Sequence, residues 1–134
     1  MTFILKRSTR IAISLFSISF IFWIIYMADT GQSSIFFDFI KKIPYGDKVG
    51  HFFIFGCVTL LANVVLRFRR LFNRKHLFLG TSIVALFALI EEISQMFFAT
   101  RTFDLIDLTA DSVGILLFHW LSIQLYSFIN NSID

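Results

Sequence analysis

Glu91-Glu92-Ile93-Ser94-Gln95-Met96-Phe97-Phe98-Ala99-Thr100-Arg101-Thr102-Phe103-Asp104-Leu105-Ile106-Asp107 is the stretch on which the fold turns. Asp111 and Gly114 follow it. Apolar runs long enough to enter a membrane flank it on both sides: Leu77 to Ile90 before it, Leu108 to Phe128 after it. Charge at membrane depth is expensive and marks places with a function or a fixed pairing. The chain is therefore read outward from this acidic turn between two apolar helices.

Composition agrees. Of 134 residues 57% are hydrophobic and only 16% charged, against about 25% charged in soluble domains. Mean hydropathy is +0.78. One proline and six glycines leave long helices with few breaks. The reading is an all-α, polytopic membrane protein forming a single domain over 1–134, with the lipid bilayer as its first partner. The net charge of +3 does not indicate nucleic acid, because the basic residues sit at the ends of apolar runs, where topology puts them. Cys57 is the single cysteine, which excludes an internal disulfide and a cysteine-based metal site.

Four spans are expected: 11–28, 49–66, 77–98 and 104–128. The first follows Lys6, Arg7 and Arg10 and is eighteen residues long, longer than the apolar core of a signal peptide and without a small-x-small cleavage site. Residues 34–40 read as a short interfacial amphipathic piece. Pro44-Tyr45-Gly46-Asp47 is a turn, with Asp47 of the type that caps helices, and Asp104 is the equivalent residue before the fourth span. Eight Lys/Arg (6, 7, 10, 67, 69, 70, 74, 75) fall on the side of the N-terminus and four (41, 42, 48, 101) on the other. That bias sets both termini inside. Eight of the nine acidic residues then lie outside or in outer helix halves, all but Asp134. The basic loop 67–76 reads as a topology anchor on the cytoplasmic leaflet.

Three pieces converge on the outer side. Asp47, Lys48 and His51 open the second span at spacings of three and four, on one helix face. Glu91 and Glu92 share a face with Gln95 at the end of the third. Asp107, Asp111 and Gly114 form one stripe down the fourth, and Arg101 lies in the connection. Carboxylates so close together must be protonated or matched by cations. Lys48, Arg101 and a protonated His51 are the matches available. Glu92, Asp107 and His51 are the candidate acid–base residues. Lys48, Gln95, Arg101, Asp111, Asp47 and Glu91 are the candidate binding residues. The donor set is compatible with a divalent cation without requiring one. The bland alternative is a network that merely ties helices together, at roughly 0.6–2 kcal/mol per contact. Gly56, Gly80 and Gly114 are read as close-packing positions, and Asn63 as a helix–helix hydrogen bond, the one polar residue expected to matter at the inner side.

Asp47-Lys48-x-x-His51-Phe52, then Glu92-x-x-Gln95, then Arg101-x5-Asp107-x3-Asp111-x2-Gly114 resembles the VanZ-like family of bacterial membrane proteins, over Asp47 to about Phe118. Asp111 stands where the family pattern usually has asparagine. The resemblance implies a four-helix protein of the bacterial inner (cytoplasmic) membrane with its polar site facing the outside or periplasm. It also implies a cell-envelope role linked to resistance to the glycopeptide antibiotic teicoplanin. Three classes of function stay open. They are an enzyme or binding site for an anionic, lipid-linked or glycan envelope substrate; a non-catalytic protein supporting a partner or surface access; and ion transport, disfavoured because the polar residues crowd one half. No nucleophile elbow, P-loop or His-Glu-x-x-His run selects a reaction.

Overall fold

The computed structural model describes residues 6–29, 38–39, 42–72, 74, 76–99 and 102–131. They form four long helices and, among the described residues, no strand. Helix α1 is Arg7–Asp29, α2 is Gly46–Val65, α3 is Leu79–Ser94 and α4 is Leu105–Asn131. A single 3₁₀ turn, Gln95–Phe97, extends α3. With that turn counted, all four contain a stretch long and apolar enough to cross a membrane, of 21 (Arg7–Met27), 20, 19 and 27 residues. At about 1.5 Å per residue, twenty residues match the roughly 30 Å hydrocarbon core.

Several helix ends differ from the expected ones. Helix α1 begins at Arg7, because a charge ends the membrane core without ending the helix. Helix α2 begins at Gly46, immediately after Tyr45, which adopts a left-handed φ of 57°. Asp47 therefore lies inside the first turn of α2 and does not cap it, and the start of α2 has no side-chain cap. A carboxylate there still suits the positive end of the helix dipole. Asp104 does cap α4: its Oδ1 accepts the Ile106 N–H at 2.8 Å. Of the amphipathic piece expected over 34–40, only Asp38 and Phe39 are described, and both are helical.

Helix α2 is the centre of the bundle and packs on each of the other three, most extensively along α4. Gly114 makes that approach close: a Cβ there would run into the Phe52 backbone carbonyl of α2. Gly80 does the same for α3, where a Cβ would stand 2.7 Å from the Asn63 backbone nitrogen. Small residues let membrane helices gain dispersion contacts where no hydrophobic force drives them together. Helix α1 is peripheral. Its Arg10 Nη1 reaches the Val65 carbonyl at 3.4 Å, so the start of α1 and the end of α2 share one end of the bundle.

The interior is more polar than the exterior. Among the described residues, and glycines aside, six apolar and nine polar or charged residues are buried, while Leu15, Phe16, Phe22, Leu116, Trp120 and Phe128 are exposed. Lipid removes the penalty on exposed apolar side chains and leaves polar groups to seek each other inside. At mid-depth, Phe55, Val84, Ala88 and Ile115 form the apolar core. Polar groups gather above and below it.

At the end that carries Arg10 and the basic loop, Asn63 is one member of a larger network. Its Nδ2 donates to Thr81 Oγ1 at 2.9 Å and to Ser122 Oγ at 3.1 Å, and its Oδ1 accepts the Thr81 N–H at 3.0 Å. His119 Nδ1 lies 2.8 Å from Thr81 Oγ1, and its Nε2 lies 2.7 Å from the His76 carbonyl. The expectation that Asn63 stands alone at this end is corrected: Thr81, Ser122 and His119 join it from α3 and α4.

Candidate functional site

The other end holds the acidic cluster. Helix α2 presents Lys48 and His51 one turn apart, both turned toward α4. Lys48 Nζ lies 2.9 Å from Asp47 Oδ2, 2.6 Å from Asp104 Oδ2 and 2.6 Å from Asp107 Oδ1. The contact to Asp104 is a directed hydrogen bond, whereas that to Asp107 is an ion pair without hydrogen-bond alignment. One ammonium thus gathers three carboxylates, two of them from the start of α4. Lys48 holds the Asp104 carboxyl below the usual carboxylate range, with the Ile106 N–H assisting. Asp47 is the outlying member, its side chain 62% exposed.

His51 sits one layer deeper. Its Nδ1 lies 2.9 Å from Asp111 Oδ1, and its Nε2 lies 4.0 Å from Asp107 Oδ2. With Asp111 ionised its carboxylate only accepts, and Nδ1 then carries the hydrogen of the shorter contact. That fixes the ring orientation and leaves Nε2 facing Asp107 across a gap too long for a direct hydrogen bond.

Helix α3 closes the third side. Gln95, on the 3₁₀ turn, donates through Nε2 to both Glu91 oxygens at 3.1 Å and to Glu92 Oε2 at 3.2 Å. The tighter turn swings Gln95 back over the two glutamates that precede it by three and four residues. Glu92 Oε1 accepts the Asp104 N–H at 2.7 Å, so the cap of α4 is tied to α3. Glu92, Asp111 and Gln95 are essentially inaccessible, and Glu91 and Asp107 are buried. One donor atom each from His51, Glu92 and Asp111 lies within 4.8 Å of the others.

Of the nine candidate residues, eight are brought to this end of the bundle: Asp47, Lys48, His51, Glu91, Glu92, Gln95, Asp107 and Asp111. Arg101 lies outside the described residues. Asp104 is a member that the sequence reading treated only as a cap. Its signal was present in the sequence, since it precedes Asp107 by three residues and so faces the same lysine.

Fold and site together define a multi-pass membrane protein of four long helices with a partly buried carboxylate–histidine–lysine cluster at one end. The VanZ/LLP1 family model matches residues 2–128, and the chain belongs to this VanZ-like family. No curated protein and no solved structure matches it.

Proposed function

We propose that the acidic cluster of this VanZ-like domain is an outward-facing site that binds or acts on an anionic cell-envelope substrate. The protein would sit in the bacterial cytoplasmic membrane and contribute to glycopeptide (teicoplanin) resistance, as the resemblance implies. In this reading His51, Asp107 and Glu92 handle protons. Lys48, Gln95, Arg101, Asp111, Asp47 and Glu91 hold the substrate or the groups around it. The outward assignment is supported by the eight-to-four Lys/Arg bias and by the crowding of carboxylates at the end opposite Arg10.

One observation carries the proposal. His51 is held at Nδ1 by Asp111, while its Nε2 faces Asp107 Oδ2 at 4.0 Å. An oxygen hydrogen-bonded to both, at about 2.8 Å from each, fits across that gap. An imidazole fixed by one carboxylate and opposed by another is an arrangement that moves a proton to or from such an oxygen. Ties between helices need no such gap.

A second reading has its own support. Lys48 is fully engaged by three carboxylates and Glu92 holds the cap of α4, which is how a helix fastener looks. Transport has less. The apolar layer of Phe55, Val84, Ala88 and Ile115 separates the two polar ends.

The test is teicoplanin susceptibility in a sensitive bacterium making the wild-type protein or Asp107→Asn at equal membrane abundance. Wild type should raise the inhibitory concentration and Asp107→Asn should not. Equal protection by both would overturn the reading.

A further inference from the structure

The acidic cluster and an anionic substrate repel each other unless something lies between them. Six carboxylates stand at this end: Asp47, Glu91, Glu92, Asp104, Asp107 and Asp111. Among the described residues, Lys48 and, if protonated, His51 are cations in contact with them. Glu92 and Asp111 are at 0% exposure, where a carboxylate is stabilised most by a close cation. A cation of higher charge density would match both the carboxylates and an incoming anion.

We propose that His51, Glu92 and Asp111 bind a divalent transition-metal ion of the Mn2+ or Zn2+ class, which serves as the anchor for an anionic group. The metal site stands on the geometry. Its service to an anion rests on the function proposed above; with the metal bound, His51 and Glu92 are ligands and the proton handling of that reading falls to Asp107.

Four features support the assignment. The three residues come one each from α2, α3 and α4, and their donor atoms lie within 4.8 Å of one another. Ligands about 2.1 Å from a tetrahedral metal stand about 3.4 Å apart, so the widest pair needs to close by no more than about 1.4 Å. One imidazole nitrogen and two carboxylate oxygens are a donor set for Mn2+, Fe2+ or Zn2+, and are poorer in oxygen than Ca2+ asks for. Three protein ligands leave coordination positions open, as in sites where a metal meets a substrate. The outer partners are also in place: Gln95 Nε2 and the Asp104 N–H each donate to Glu92 and fix its orientation. Each carboxylate oxygen has a second lone pair, so these hydrogen bonds and a metal bond are compatible.

Purified protein stripped with EDTA would be titrated with Mn2+ and with Zn2+ in the absence of any substrate. One equivalent should remain after desalting. Bound metal should raise the unfolding temperature by about 5 °C or more at 100-fold excess over Kd, because it ties three helices. Glu92→Gln and Asp111→Asn should lose the bound equivalent, and Gln95→Ala should weaken binding about 10–100-fold. Asp38→Asn, at an exposed carboxylate in the segment before α2, should leave the stoichiometry unchanged. Should the cluster variants fail to fold, the wild type still decides: bound Mn2+ should show nitrogen coupling to an imidazole in its pulsed electron paramagnetic resonance spectrum. Retention of no metal, retention unaffected by Glu92→Gln and Asp111→Asn, or Mn2+ without nitrogen coupling overturns the proposal. A lipid-linked precursor that still stabilises a metal-free protein would remove the metal and leave the substrate site standing.

Discussion

His51 Nδ1 and Asp111 Oδ1 stand 2.9 Å apart across the α2–α4 interface, joining residues sixty positions apart in the chain. The contact is made where α4 runs against α2 without a side chain between them, three residues above Gly114. An asparagine Oδ1 would accept the same Nδ1–H. Asp111→Asn is therefore expected to fold, at a cost of about 1 kcal/mol or less. Asp111→Ala leaves His51 unpartnered at Nδ1 and should cost more, up to the about 3–5 kcal/mol of a broken buried pair. Thermal unfolding in detergent separates the two, and equal losses would show that the hydrogen bond is not what matters.

Gly114 is expected to be the least replaceable glycine in the chain. Gly114→Ala puts a methyl into the Phe52 backbone carbonyl, and backbone cannot swing aside as a side chain can. Overpacking of this kind costs about 1–3 kcal/mol. Gly50 has open space around it, so Gly50→Ala should be neutral or slightly stabilising through helix propensity. If both substitutions are silent in a melting experiment, α2 and α4 are further apart than described.

Asn63 should behave as an architectural residue. Asn63→Leu removes one acceptor and two donors from a buried network and leaves the Thr81 N–H and hydroxyl to find other partners. The loss should be about 1–3 kcal/mol. Metal or precursor binding at the opposite end should survive in whatever fraction stays folded. Loss of binding without loss of stability would contradict this assignment.

Orientation can be read by cysteine labelling, since Cys57 is the single native cysteine. In a Cys57→Ser background, Asp38→Cys should react with a membrane-impermeant maleimide added to intact cells. Arg69→Cys, exposed at the basic end, should react only after lysis. The reverse pattern would turn the protein over and place the acidic cluster inside.

The acidic end was largely legible in the sequence because its members are local. Lys48 and His51, Glu91, Glu92 and Gln95, and Asp107 and Asp111 each lie three or four residues apart, a spacing that fixes a shared helix face without reference to the rest of the fold. What the sequence could not supply was cross-helix register. The sharing of Lys48 among Asp47, Asp104 and Asp107 depends on how far α4 slides along α2, and Gly114 against Phe52 sets that. Asn63 was read as a helix–helix hydrogen bond, and it makes one; its partners Thr81, Ser122 and His119 were missed for the same reason. Each member alone is an ordinary polar residue in an apolar helix, and only the packed register brings the four together. Asp47 was misplaced as a cap because a left-handed Tyr45 starts α2 two residues sooner.

The central claim is that the cluster is a site and not only a fastener. Its most direct test is the unfolding temperature of purified wild type, Glu92→Gln and Asp107→Asn, with and without a lipid-linked cell-wall precursor. The account expects wild type to be stabilised by the precursor, with both variants folded and unresponsive. No shift in wild type, together with early melting of both variants, would contradict it and leave the carboxylates as ties between helices.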